Sequence, residues 1–367
     1  VPTSCSVESM NSSPDGHLWA VILAGGIGSR FWPASTPSRP KQLMPLVSDQ
    51  PLVRETIDRI TPLVPIERVR ILTGADLATA IRRAAPELTD DNFLIEPRAA
   101  GTAPILAWAA IEIGRHDPDA VMVSLHADHV ITPEADFREC VARAAEAAVR
   151  NERLVTIGAV PDRPETGFGY IRPGPGLPAA QPLGPSDALA VERFVEKPDL
   201  QTARAYLADG GYLWNTGIFV WRVRDLLAQI GRHTPEIANL VPLLHDGDVD
   251  AFFDQVPSLS IDNALLERSD RVAVVPATFR WDDIGSWDAL FRTRPRDALG
   301  NIAIGDAHLV DTRGTAAYAD DGPVVAFGVE DLVVVRTSGV TFVMPRRRSA
   351  DLKELLEQIP DRLRTLD

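Results

Sequence analysis

Apolar runs of four to six residues alternate with stretches of helical apolar spacing through the first 150 positions of the chain. The first run, Leu18 to Leu23, is long enough for one buried strand, and Leu52 to Ile60 repeats its apolar positions at helical intervals. Val69 to Thr73 and Phe93 to Glu96 read as strands, with a helix from Leu77 to Ala85 between them. Thr102 to Arg115 is Ala-rich and helical, with Thr102 placed to cap it and Pro104 tolerated in its first turn. Ala120 to Leu125 is a strongly apolar strand, and a helix follows from about Glu134 to Arg150. This βαβα order predicts an α/β fold with a mostly parallel sheet and helices on both faces. Ligands of such sheets bind beyond the carboxyl ends of the strands, where the segments after Leu23 and Leu125 lie.

The pattern then changes. Leu154 to Trp281 mixes strands with irregular loops, and Pro173 to Asp187 is so rich in Pro and Gly that it must be a loop or hairpin insertion. Beyond Pro295, short strands at Val324 to Phe327, Leu332 to Val335 and Thr341 to Val343 alternate with Gly and Asp turns. Their spacing suits a small C-terminal β module, such as a short β-helix of a few rungs. A terminal helix, Ser349 to Leu366, carries Leu352, Leu355, Leu356 and Ile359 on one face, for core or dimer contact. The expected organisation is a disordered Ser-rich extension over 1–16, a main Rossmann-like domain over 17–295, and the β module with its helix over 296–367.

Composition narrows the function. A length of 367 residues accommodates one large α/β domain plus a smaller module, and 45% hydrophobic content is ordinary. A net charge of −14 argues against nucleic acid as a partner, so any basic site must be local. Two cysteines, Cys5 and Cys140, make neither a disulfide framework nor a zinc site by themselves. No apolar run approaches the eighteen residues of a membrane span, and the first sixteen residues lack the apolar core of a signal peptide. The expectation is a cytoplasmic enzyme without membrane contacts.

The most informative segment follows the first strand: Leu23-Ala24-Gly25-Gly26-Ile27-Gly28-Ser29-Arg30, then Pro40-Lys41-Gln42. Three glycines within four positions let backbone N–H groups close around phosphate oxygens. Arg30 and Lys41 add positive charge where a departing pyrophosphate would sit. The P-loop ending Gly-Lys-Ser/Thr is missing, and the spacing is not Gly-x-Gly-x-x-Gly. Asp128, just past a strand end, can hold a hard cation such as Mg²⁺, although alone it reads as a turn or capping aspartate. Glu196-Lys197 pairs an acceptor for adjacent hydroxyls with a point charge for a phosphate; alone it is an ordinary charged turn.

The block from Gly25 to Pro33, with Pro40-Lys41-Gln42, resembles the signature of the sugar-1-phosphate nucleotidylyltransferases, and of the mannose-1-phosphate guanylyltransferases in particular. In that family Gly-Gly-x-Gly-Thr-Arg-Leu-x-Pro, then Pro-Lys, holds the triphosphate; Ser29 and Phe31 replace Thr and Leu here. Further blocks follow in the family's order: Asp128-His129, Thr166-Gly167-Phe168-Gly169-Tyr170, Glu196-Lys197-Pro198, Trp214-Asn215-Thr216-Gly217 and Asp283-Ile284-Gly285-Ser286-Trp287.

The resemblance implies transfer of GMP from GTP to α-D-mannose 1-phosphate, giving GDP-mannose and pyrophosphate, by Mg²⁺-dependent in-line attack at the α-phosphorus. It implies nucleotide contacts at Leu23, Ala24, Gly25, Gly26, Gly28, Ser29, Arg30, Lys41, Glu96, Thr102 and Asp128. Gly169, Glu196, Lys197 and Asn215 would bind the sugar phosphate, and Asp128 and Asp283 the metal; preferring Asp283 to Asp282 rests on the resemblance. Arg30, Lys41 and Lys197 are the expected catalytic charges, and a homodimer the expected assembly. His126 and His129 are expected to be structural, because the reaction offers them no clear proton to move. Longer relatives carry a fused isomerase domain at this end, for which 367 residues leave no room.

Departures lie where the base would be read. The family pattern Glu-Pro-x-x-Arg-Asn-Thr-Ala-Pro meets Ala100 and Gly101 in place of Arg and Asn, with Arg98 a candidate substitute. His126 also stands where a proline or small residue is usual. Two alternatives therefore accompany the guanylyl reading: a related nucleotidylyltransferase with another base or hexose, and a catalytically silent nucleotide-sugar-binding regulatory subunit.

Overall fold

The computed structural model describes residues 16–26, 28–178, 188–337 and 339–364. The extension expected over 1–16 lies outside the described residues except for Gly16, as do the tip of the Pro/Gly-rich insertion and Leu366.

Nine strands form the main sheet. They are β1 (Leu18–Leu23), β2 (Val69–Gly74), β3 (Phe93–Glu96), β4 (Val121–His126), β6 (Leu154–Ala159), β7 (Tyr170–Gly176), β8 (Leu189–Val195), β9 (Leu213–Arg222) and β10 (Val272–Pro276). Their spatial order is β3-β2-β1-β4-β9-β6-β10-β8-β7. Strands β8 and β9 run against the other seven, so the sheet is mixed but mostly parallel. Alternate residues of β1 serve two cores: Leu18, Ala20 and Ile22 pack into one, Trp19 and Val21 into the other. Burial on both faces is what near-continuous apolar strands require. The arms of the Pro/Gly-rich insertion pair as the antiparallel hairpin β7–β8.

Three expectations need correction. Thr102 does not cap its helix: it is the first residue of Thr102–His116, Gly101 occupies the cap, and the Thr102 hydroxyl accepts the Ile261 N–H. The region from Leu154 to Trp281 is far more helical than its Pro and Gly content suggested, with helices at Leu200–Asp209, Val223–His233 and Val249–Gln255. Asp199 and Asp248 cap the first and last of these with side-chain oxygens. The terminal helix is broken into Leu352–Gln358 and Asp361–Arg364, because Pro360 lacks the N–H that would continue it.

A two-stranded sheet joins β5 (Val130–Thr132) to β11 (Arg280–Asp282). The C-terminal module contains β12 (Ile302–Val310), β13 (Ala316–Phe327), β14 (Leu332–Thr337) and β15 (Val340–Pro345). β12, β13 and β14 are parallel neighbours, with Ile302 opposite Ala316 and Ala316 opposite Val333. Successive parallel strands joined by four or five residues cannot make an ordinary crossover, so the chain coils as a solenoid. The module shares one core with the main domain: Phe31, Trp32 and Trp287 pack with Tyr318, Val333 and Leu352. Leu355, Leu356 and Ile359 join that core. Among the described residues, no helix is long and apolar enough to cross a membrane.

Candidate functional site

Strand register assembles the site. Leu23 pairs with His126, so the glycine loop and the turn from His126 to His129 leave the sheet side by side. Because β9 runs against its neighbours, its first residues, Trp214 and Asn215, reach the same edge. Asp282 pairs with Val130, which carries Asp283 alongside the His129 turn from the far end of the main domain.

Three adjoining chambers open there. One of about 300 Å³ is lined by Leu23, Ala24, Gly25, Gly26, Glu96, Thr102 and Asp128, among others. A second, of about 210 Å³, is lined by Gly169, Glu196, Lys197, Asn215, Asp262 and Trp281, among others. The third, of about 330 Å³, is bordered by Gly28, Arg30, Lys41, Asp128, His129 and Asp283. The expected site residues whose side chains are described all line a chamber; Ser29 opens the short turn Ser29–Phe31. His126 borders all three.

Lys41 is the electrostatic hub. It is only 5% exposed, and its Nζ donates to Asp128 Oδ2 at 2.9 Å and to the Asp283 carbonyl. Gly28 has φ +69°, and a β-carbon on it would come within 2.4 Å of Lys41 Cβ, so both backbone and space call for glycine. Burial works to raise the Asp128 carboxyl, but Lys41, by its charge and its hydrogen bond, leads the neighbours that together outweigh burial and hold the group well below the usual carboxylate range. Asp283 behaves oppositely: burial, with Asp282 and Asp128 nearby, pushes it up to about 6 against the pull of Lys41. Its neighbour Asp282 is committed elsewhere, accepting from Arg292 at 2.6 and 3.2 Å and from the Ile284 N–H at 2.8 Å. Of the two adjacent aspartates, the second faces the chambers.

Ile284 (φ +42°) and Lys197 (φ +46°) both hold the left-handed conformation that side chains disfavour, most of all a β-branched one. Strain of this kind collects at working sites, and here it flanks Asp283 and Glu196.

Ligand atoms of His126, Asp128 and His129 lie within 4.8 Å of one another. His129 Nδ1 accepts from Trp281 Nε1 at 3.1 Å, so the ring keeps its proton on Nε2 and offers no free lone pair to a cation. Burial holds both imidazoles below their ordinary pKa, hence neutral. The Asp283 carboxylate receives no hydrogen bond among the described residues. Two carboxylates, Asp128 and Asp283, remain as hard oxygen donors, a set that suits Mg²⁺.

Arg98, the candidate substitute base contact, donates from its guanidinium to the Val256 carbonyl at 2.6 Å and is not among the residues lining the nucleotide-side chamber. Sequence reasoning passed over Asp262 and Trp281. Nothing marks Asp262 in the sequence, whereas Trp281 stands two residues before Asp283 and was open to notice.

A family model described as nucleotidyl transferase matches residues 19–298, and one described as MannoseP isomerase/GMP-like beta-helix domain matches residues 305–359. A mannose-1-phosphate guanylyltransferase from Klebsiella pneumoniae is 35% identical over 356 residues, spanning 93% of this chain and 73% of its own. One from Escherichia coli (strain K12) is 38% identical over 360 residues, again 93% and 73%. A crystal structure described as mannose-1-phosphate geranyltransferase from Thermus thermophilus is similar at a TM-score of 0.84 and 32% identity. The likeness covers 93% of this chain and 99% of that one. With three quarters of its length matched by the transferase model and relatives above 30% identity throughout, the chain belongs to the nucleotidyl transferase family, in its mannose-1-phosphate guanylyltransferase branch.

Proposed function

We propose that this chain transfers GMP from GTP to α-D-mannose 1-phosphate, forming GDP-mannose and pyrophosphate. The observation that carries the reading is the meeting of a glycine loop, a carboxylate pair and a Glu-Lys hydroxyl-and-phosphate pair in adjoining chambers at one sheet edge.

GTP would lie over the glycine loop, with its base toward Glu96. Burial raises the Glu96 carboxyl, and its oxygens supply the acceptor that guanine N1–H and the 2-amino group require. Arg30 and Lys41 would face the β- and γ-phosphates and stabilise the departing pyrophosphate. Across the boundary marked by His126, Lys197 would hold the sugar phosphate and Glu196 the hexose, with Asn215 bordering the same chamber. The attacking phosphate oxygen is already ionised, so the chain needs no general base. Its work is to align that oxygen with the α-phosphorus and to offset charge. Asp128 and Asp283 would hold Mg²⁺, which when bound neutralises negative charge on phosphate oxygens.

The setting proposed is cytoplasmic, without nucleic acid or membrane, and the assembly a homodimer that light scattering would test. The reaction itself is tested by pyrophosphate release over four nucleoside triphosphates, each with mannose and glucose 1-phosphate. Preference for GTP with mannose 1-phosphate is expected. Release with another pair alone would replace base or hexose, and no release with any pair would leave only a binding protein.

A further inference from the structure

The hexose-side chamber contains an ionisable group that no sequence block singles out. Asp262 opens the π-helical turn Asp262–Leu266 and borders the chamber together with Glu196, Gly169 and Asn215. The turn is tied to the nucleotide side, since Thr102 Oγ1 accepts the Ile261 N–H at 2.8 Å.

Asn215, expected to reach a sugar hydroxyl, spends its amide largely within the protein. Its Oδ1 accepts from Thr156 Oγ1 at 2.9 Å and from the Gly217 N–H at 3.3 Å. Its Nδ2 donates to Asp262 Oδ1 at 2.8 Å. Both lone pairs of the amide oxygen are thereby used, and one of its two N–H groups is fixed on Asp262.

Across the chamber, Glu196 Oε1 accepts from Lys197 at 2.7 Å, while Glu196 Oε2 is buried without a hydrogen-bond partner. A β-carbon on Gly169 would lie 2.6 Å from that oxygen, so the bare glycine backbone is what leaves room beside it. Two neighbouring carboxyl groups, one with an unmet acceptor, suit a ligand that brings several hydroxyl donors. A hexose ring does so; water alone would leave the carboxylates partly desolvated and unmatched.

We infer that Asp262 is a specificity-determining residue of the hexose site, its carboxylate accepting a ring hydroxyl next to the one taken by Glu196, with Asn215 as the positioning residue that holds it. The inference rests on the reading that this chamber receives a hexose 1-phosphate.

Calorimetric titration with mannose 1-phosphate tests it. Asp262→Asn keeps the shape and removes the charge, and should weaken mannose 1-phosphate binding about tenfold to hundredfold while GTP binding is unchanged. Asn215→Ala should weaken it as well, and the double variant no more than Asp262→Asn alone, because one interaction is being removed twice. Preference over the C2 epimer, glucose 1-phosphate, should shrink in both single variants. Asp262→Ser replaces the Asn variant if the latter melts early. Unchanged mannose 1-phosphate affinity at position 262, or additive losses in the double variant, overturns the assignment. A wild type that binds mannose 1-phosphate without turnover counts against the proposed reaction and not against this assignment; one that does not bind it overturns both.

Discussion

Lys41 Nζ stands 2.9 Å from Asp128 Oδ2 while also donating to the main chain of Asp283, so one ammonium joins three segments that are distant in sequence. The Lys41 side chain is buried while Asp128 is part-exposed at the chamber wall, and rupture of the pair would leave Asp128 without its main counter-charge.

Lys41→Met should therefore reduce nucleotidyl transfer by about 10²–10³-fold, the usual loss for one charge-stabilising donor. Pyrophosphate release under saturating substrates reads this directly. A variant within twofold of the wild type would remove Lys41 from the reaction.

Chelation of divalent metal should abolish turnover, and added Mg²⁺ should restore it in the wild type but not in Asp283→Asn. The substitution removes a carboxylate that receives no hydrogen bond among the described residues, so the melting temperature should stay within a few degrees of the wild type. Near-normal Mg²⁺-dependent turnover in this variant would end the assignment of Asp283 to the metal.

Stability should depend on pH through Asp262, whose carboxyl burial and the nearby Glu196 push up to about 6 from 3.8. Between those values the folded chain keeps a proton that the unfolded chain has released. The ionised group thus costs stability near neutral pH, and the cost disappears as pH falls below the unfolded value. Asp262→Asn should stabilise the ligand-free chain near neutral pH by roughly 1–3 kcal/mol, and hardly at all near about pH 4. Urea unfolding at the two pH values measures it; equal or lower stability of the variant near neutrality would contradict the assigned environment of Asp262.

The C-terminal module should matter to the glycine loop through shared packing. Leu352 is 1% exposed in the core that holds Phe31 and Trp32, immediately after the loop. Leu352→Ala should cost about 2–5 kcal/mol, seen as a lower midpoint in denaturant. Loss of GTP affinity should accompany it, and unaltered stability would show that the module packs more loosely than these contacts require.

Much of the fold was legible because its strands and helices announce themselves locally. Leu18–Leu23, Leu52–Ile60 and Phe93–Glu96 have the bounds that their apolar spacing suggests. The helices between Leu200 and Gln255 were missed because their stop signals, Gly210 and Pro235 among them, look the same in a loop as at a helix end. The sequence also does not report that the Arg98 guanidinium donates to the distant Val256 carbonyl.

Chemistry confined to a few consecutive residues was readable before any coordinates: the glycine loop with Arg30, the Glu196-Lys197 pair, and the acidic positions at strand ends. Such groups are constrained by neighbours in the chain, which periodicity and motif spacing report. Which aspartate of Asp282 and Asp283 faces the cleft, that Asn215 turns to Asp262, and that Lys41 bridges two distant turns were matters for the folded chain. These depend on strand register, on the reversal of β9 and on competition for hydrogen-bond partners far apart in sequence. Only three-dimensional packing resolves that competition, because each donor and acceptor is spent on whichever partner the fold brings within reach.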